Sequence, residues 1–127
     1  MKHISIKHLN NQYNDQLRSL DFYKKELGIL RERLTEIAGK NTGLPVLKEV
    51  EHYENTFKVQ INNIDELSHN IRSNIAEIAK EAREEHAGYI SESLIRNLES
   101  LTHDFNAEEQ AIGELRQSFN RFSAAWM

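Results

Sequence analysis

Glu84-Glu85-His86-Ala87-Gly88-Tyr89-Ile90-Ser91 is the stretch on which the fold turns. If a helix stops inside it, the chain makes three helices. If a helix runs through it, the chain makes two, one of them about 80 residues long. Gly88 suits the end of a helix, because glycine adopts the left-handed conformation that closes one. Ser91 suits the cap of the next helix, and Ile90 with Ile95 is spaced as a hydrophobic staple across that cap. Glu81, Glu84 and Glu85 pull the other way, since negative charge at a helix C-terminus opposes the helix dipole. Ile71, Ile75, Ile78, Ala82, His86, Ile90 and Leu94 also recur in steps near four, as in an eleven-residue repeat that would carry one helix from about residue 45 to 126. Such a helix would stretch roughly 120 Å and would need a second chain to bury its stripe. The spacing therefore predicts an all-α, antiparallel three-helix bundle. The alternative is a long two-helix hairpin with helix two continuous through Gly88 and paired with a second chain.

Upstream, a heptad frame starting at Ile6 places Tyr13, Leu20, Leu27 and Leu34 at a, with Leu9, Gln16, Tyr23, Leu30 and Ile37 at d. All but Gln16 are apolar, the mark of a long helix packed in a bundle. Gly39 to Pro45, reading GKNTGLP, then breaks the pattern. Its two glycines offer left-handed C-cap conformations, and Pro45 suits a first helical turn while pushing Leu44 out of the helical region. The second run has apolar a positions, Val50, Phe57, Ile64, Ile71 and Ile78, but mixed d positions, Tyr53, Gln60, Leu67 and Asn74. Ile61, Ile75 and Ala82 at e widen its stripe, as expected of a helix facing two neighbours. The third run is Leu94, Leu98, Leu101, Phe105, Ile112, Leu115, Phe119, Phe122 and Trp126, with Glu108 as its sole polar member. The expectation is one helical domain over residues 1–127, with helices near 3–38, 45–86 and 91–126.

Composition agrees and narrows the function. The 127 residues are 39% hydrophobic and 28% charged, enough for one domain. With 20 acidic against 16 basic residues and a net charge of −4, the chain lacks the clustered positive charge that displaces counterions from nucleic acid. Having no cysteine, it has no disulfides, thiolate metal sites or thiol nucleophiles. Five Gly and one Pro are too few for a many-turned β-sandwich or glycine-rich phosphate loops. No apolar run reaches the roughly 20 residues of a membrane span, and MKHISIKHLNNQ lacks the apolar stretch of a signal peptide. A complete small cytoplasmic protein is the expectation.

Up-down-up packing makes further expectations. Facing residue numbers should sum to about 83 across helices one and two and about 176 across helices two and three. Phe119, Phe122 and Trp126 then meet Val50, Tyr53 and Phe57 in an aromatic cluster near the 39–45 turn, as core or as a docking end. Gln16, Ser68 and Glu108 fall at one height, either as a buried polar layer that fixes register or oligomer state or, the expectation here, with Glu108 rotated out to solvent. On helix one, Phe22 and Ile29 sit at successive c positions off the a/d stripe, and Leu17 at e is expected to widen the same side into a packing surface for a partner.

The residues offer little chemistry. Carboxylate-bridged di-iron bundles use Glu-x-x-His pairs on different helices. Here Glu49–His52 and Glu66–His69 share the second run, and His8, His52, His69 and His103 occupy outer c and f positions. With sixteen Glu and six His, chance alone supplies about one such string. No carboxylate pair is placed inward and no histidine lies on a core face, so neither catalysis nor a metal or other cofactor is expected. Lys24, Lys25, Arg31 and Arg33 alternate with Glu26, Glu32 and Glu36 as on a solvated face, with Asp21–Lys25 and Glu36–Lys40 as i,i+4 pairs. The reading is a non-enzymatic interaction or self-assembly module, a homodimer or the partner of another helical protein, with no nucleic acid, membrane or small molecule. Its alternative is a metal-binding bundle of the di-iron or haemerythrin type.

Two stretches carry a resemblance. Lys40-Asn41-Thr42-Gly43 with Val50-Glu51-His52-Tyr53 and Asn62-Asn63-Ile64-Asp65-Glu66-Leu67 is one. Glu114-Leu115-Arg116 with Phe119-Asn120-Arg121-Phe122 and Trp126-Met127 is the other. They resemble a family of short coiled-coil-rich proteins from Bacteroidetes bacteria, over about half the chain and excluding residues 80–95. The resemblance implies a bacterial cytoplasmic helical protein, and no activity.

Overall fold

Three heptad stripes bury one another only if their helices lie side by side, and a computed structural model shows that arrangement. Helix α1 (Ile6–Lys40) runs antiparallel to α2 (Leu44–Glu84), and α2 antiparallel to α3 (Glu92–Trp126). The structure describes residues 6–84 and 91–126. Cross-helix contacts fix the directions. Tyr13 meets Asn74 and Arg31 meets Glu54 between α1 and α2. Tyr53 meets Ser118 between α2 and α3, and Gln16 meets Thr102 between the parallel α1 and α3. Both antiparallel registers lie within about one turn of the sequence estimate.

Helix α3 is capped afresh at Ser91 and packs back along α2 (Leu44–Glu84), so the continuous two-helix hairpin is overturned. The Ser91 hydroxyl accepts from Leu94 N at 3.4 Å and its carbonyl from Ile95 N at 3.1 Å, the geometry of an N-cap. One of the acids that argued against a break, Glu81, finds a partner here. The Glu81 carboxylate accepts both the Ser91 backbone N–H and, at 3.2 Å, its hydroxyl. Its charge thus sits against the electropositive start of α3 instead of only burdening the end of α2. Gly88 and Ile90, assigned to a C-cap and a staple, lie outside the described residues.

At the other turn α1 runs through Gly39 to Lys40, two residues past expectation, and Asn41 N still donates to Ile37 O at 3.1 Å. Neither Gly39 nor Gly43 takes the left-handed conformation expected of it. Gly43 instead starts α2, its carbonyl accepting from Leu47 N at 3.1 Å. Leu44 is helical after all. A proline one residue into a helix forgoes only an N–H that has no partner there, and Val46, buried to 2% exposure, holds the first turn down.

The core follows the heptads. Tyr13, Leu20, Leu27, Phe57, Ile71 and Phe119 are completely buried. Ile61 and Ile75 are partly buried against the core, so α2 does face both other helices. Among the described residues no helix is long and apolar enough to cross a membrane.

Candidate functional site

The expected partner surface lies on α1. Phe22 is 60% exposed and Ile29 54% exposed, seven residues apart and therefore on one side of the helix. Phe22 is held by an edge-on contact to Tyr23, with centroids 5.9 Å apart. Leu17 does not widen this side: it is partly buried and packs on the core. Positions c and e lie about 160° apart around a helix, so Leu17 turns inward on the α2 side while the c positions face out beside α3.

Beneath that strip the α1–α3 seam is polar. Gln12 and Gln16 each donate to Thr102 Oγ1 at 3.3 Å, Tyr23 donates to Glu109 at 2.6 Å, and Arg116 holds Glu26 through two N–H groups at 2.9 and 2.6 Å. The bond to Glu109, partial burial and the charge of Glu109 push the Tyr23 phenol up to about 12, so it stays a donor. The α1–α2 seam carries ion pairs as well. Lys24–Asp65 at 2.7 Å and Arg31–Glu54 at 2.6 Å tie helices together where only a solvated face was expected. Of the two expected i,i+4 pairs, Asp21–Lys25 closes at 2.9 Å and Glu36–Lys40 does not.

The aromatic cluster forms in part. Tyr53, Phe57, Phe119 and Phe122 are all buried, with Phe119 edge-on to Tyr53 and Phe57 at 5.4 and 5.3 Å and Phe122 at 5.0 Å from Tyr53. The Tyr53 hydroxyl is satisfied by Ser118 Oγ at 2.6 Å. Trp126 does not join the core and is 42% exposed. Its carbonyl accepts from Asn41 Nδ2 at 3.3 Å, which places it level with the 41–43 connection, where α1 has ended and α2 not yet begun. The inward phase of α3 outruns the helices that could cover it. Leu44 and Leu47 are exposed at this same end.

The interior holds more polar groups than the stripes suggested. Asn74 donates to the fully buried Tyr13 hydroxyl at 3.3 Å. Gln16, Ser68 and Glu108 are all buried. Glu108, expected in solvent, is 7% exposed, because Phe105 and Ile112 on either side are buried and a stiff helix cannot turn one residue out between them. It lies in a cleft of about 320 Å³ between α2 and α3, lined also by Gln60, Asn63, Glu66, Asn70 and Asp104. With the Gln60 amide turned so that its nitrogen faces the carboxylate, it donates to both Glu108 oxygens at 2.7 Å. Burial pushes the Glu108 carboxyl up to about 7, against the pull of a hydrogen bond from Asn63.

His52 and His69 sit on the exposed side of α2, and His103 is exposed on α3. Among the described residues no group of three or more His, Asp or Glu side chains converges as a metal site would require. No protein-family model, curated protein or solved structure matches the chain.

Proposed function

We propose that the protein is a non-catalytic, cytoplasmic helical module that works by protein–protein contact, forming a homodimer through the outer face of α1. One observation carries the reading: Phe22 and Ile29 stand in line on that face, each more than half exposed, while the heptads already account for the core without them. Exposed apolar side chains in register along a helix gain most by packing against another helix. The α1–α3 seam behind them is tied by Gln16–Thr102, Tyr23–Glu109 and Arg116–Glu26 contacts. The metal-binding alternative would draw its ligands from several helices, and the exposed His52 and His69 share one. Light scattering is the test. Wild type is expected to be a dimer and the Phe22→Glu/Ile29→Glu variant a folded monomer. A monomeric wild type, or a variant that remains dimeric, ends the reading.

A further inference from the structure

Glu108 interrupts an apolar stripe without leaving it. The residue is buried in line with Phe105 and Ile112 on α3, and its carboxyl lines a cleft against α2 that contains no Lys, Arg or His. The charged groups facing it there are both acidic, Glu66 from α2 and Asp104 from α3. Helix α1 contributes nothing to the cleft, and its charges at neighbouring levels are committed elsewhere. Arg18 pairs with Asp15, Lys25 with Asp21, Lys24 with Asp65 and Glu26 with Arg116. Among the side chains facing it, ionised Glu108 therefore has only the neutral amides of Gln60 and Asn63 as donors.

The Gln60 side chain can serve either protonation state. A neutral carboxyl has a proton to donate, and Gln60 Oε1 can accept it. A carboxylate needs a donor, and the amide must then present Nε2, as it does when turned to place nitrogen 2.7 Å from both oxygens. The neutral carboxyl thus accommodates either orientation of the amide across the α2–α3 seam, whereas the carboxylate requires Nε2 toward it. The small Ala107 and Ala111 line the cleft and leave room for water beside the carboxyl.

We propose that Glu108 makes the α2–α3 seam a proton-controlled joint: protonated, the carboxyl stays buried against Gln60 and the helices close; ionised, it draws water into the cleft and loosens α3 from α2 around residues 104–111. The sign follows from linkage. A carboxyl raised from 4.5 to about 7 on folding contributes stability that is fully present below its unfolded value and is lost as pH rises through the folded one. Wild type should therefore melt at least about 5 °C higher at pH 5 than at pH 8.5, with amide protection factors along 104–111 falling about tenfold or more over that range. In Glu108→Gln, which cannot ionise, both changes should largely vanish, whereas Glu66→Gln and Asp104→Asn should retain them. Persistence of the full pH dependence in Glu108→Gln overturns the proposal. Should that variant fail to fold, carbon-13 titration of the Glu108 carboxyl in wild type decides. A midpoint near neutrality supports the joint, and one below about 5 overturns it.

Discussion

At the scale of single residues, the least expected feature is the polar material inside an apolar stripe. Tyr13 and Asn74 form a buried pair in the α1–α2 contact, toward the end of the bundle where α1 begins, with the amide donating to a phenol that has no exposure at all. Burial raises the Tyr13 pKa, which keeps the hydroxyl neutral. Removing the hydroxyl alone strands a buried donor, so Tyr13→Phe should cost about 1–3 kcal/mol by denaturant midpoint, and adding Asn74→Leu should recover part of the loss. The heptads made both positions legible as inward but could not show that they meet, because partners depend on register between helices. Glu108 departs from the expectation by staying buried. Its place in the apolar stripe was legible as inward, yet its residue type suggested solvent. The phase prevailed because a continuous helix fixes the direction of every side chain, and the cost appears as a displaced pKa.

At the scale of elements, α1 and α3 each carry a glycine well inside the helix, Gly28 and Gly113, where a methyl group would meet nothing within 4 Å. Glycine there costs helix stability without relieving any close contact within the chain. Gly113→Ala should therefore stabilise the protein by about 0.5–1 kcal/mol in thermal or chemical unfolding, and Gly28→Ala by a similar amount. The turns show how far local signals reach. Ser91 was readable as a cap because capping is a property of a few neighbouring residues. The role of Glu81 was not, since its carboxylate reaches a residue ten positions on, and only the reversal of the chain brings the two together. The 39–45 turn was correctly placed, but its glycines do not act as left-handed caps, and the helix continued until residues 41–43 turned it back.

For the molecule as a whole, the bundle was legible because its apolar periods are long and nearly unbroken, whereas the extent of the core at its ends was not. Heptad phase carries Trp126 inward, but coverage requires a neighbour at that height. Phe119 and Trp126 should consequently behave differently. Phe119→Ala should cost about 3–5 kcal/mol, while Trp126→Ala should change stability by less than about 1 kcal/mol, both measured by thermal unfolding. The candidate surface on α1 was legible as two off-stripe apolar residues. Leu17 lies on the other side because positions c and e are about 160° apart around a helix, and it packs on the core. The connection at 41–43 also has a kinetic side. Closing a three-residue loop costs little chain entropy, and α2 finds both its neighbours among the segments adjacent to it in the chain. The search for native contacts is therefore mostly local, and domains wired this way fold in microseconds to milliseconds. Helix α3, the last of the three to be synthesised, then governs how long a nascent chain displays the uncovered flank of the α1–α2 hairpin to other molecules around the ribosome.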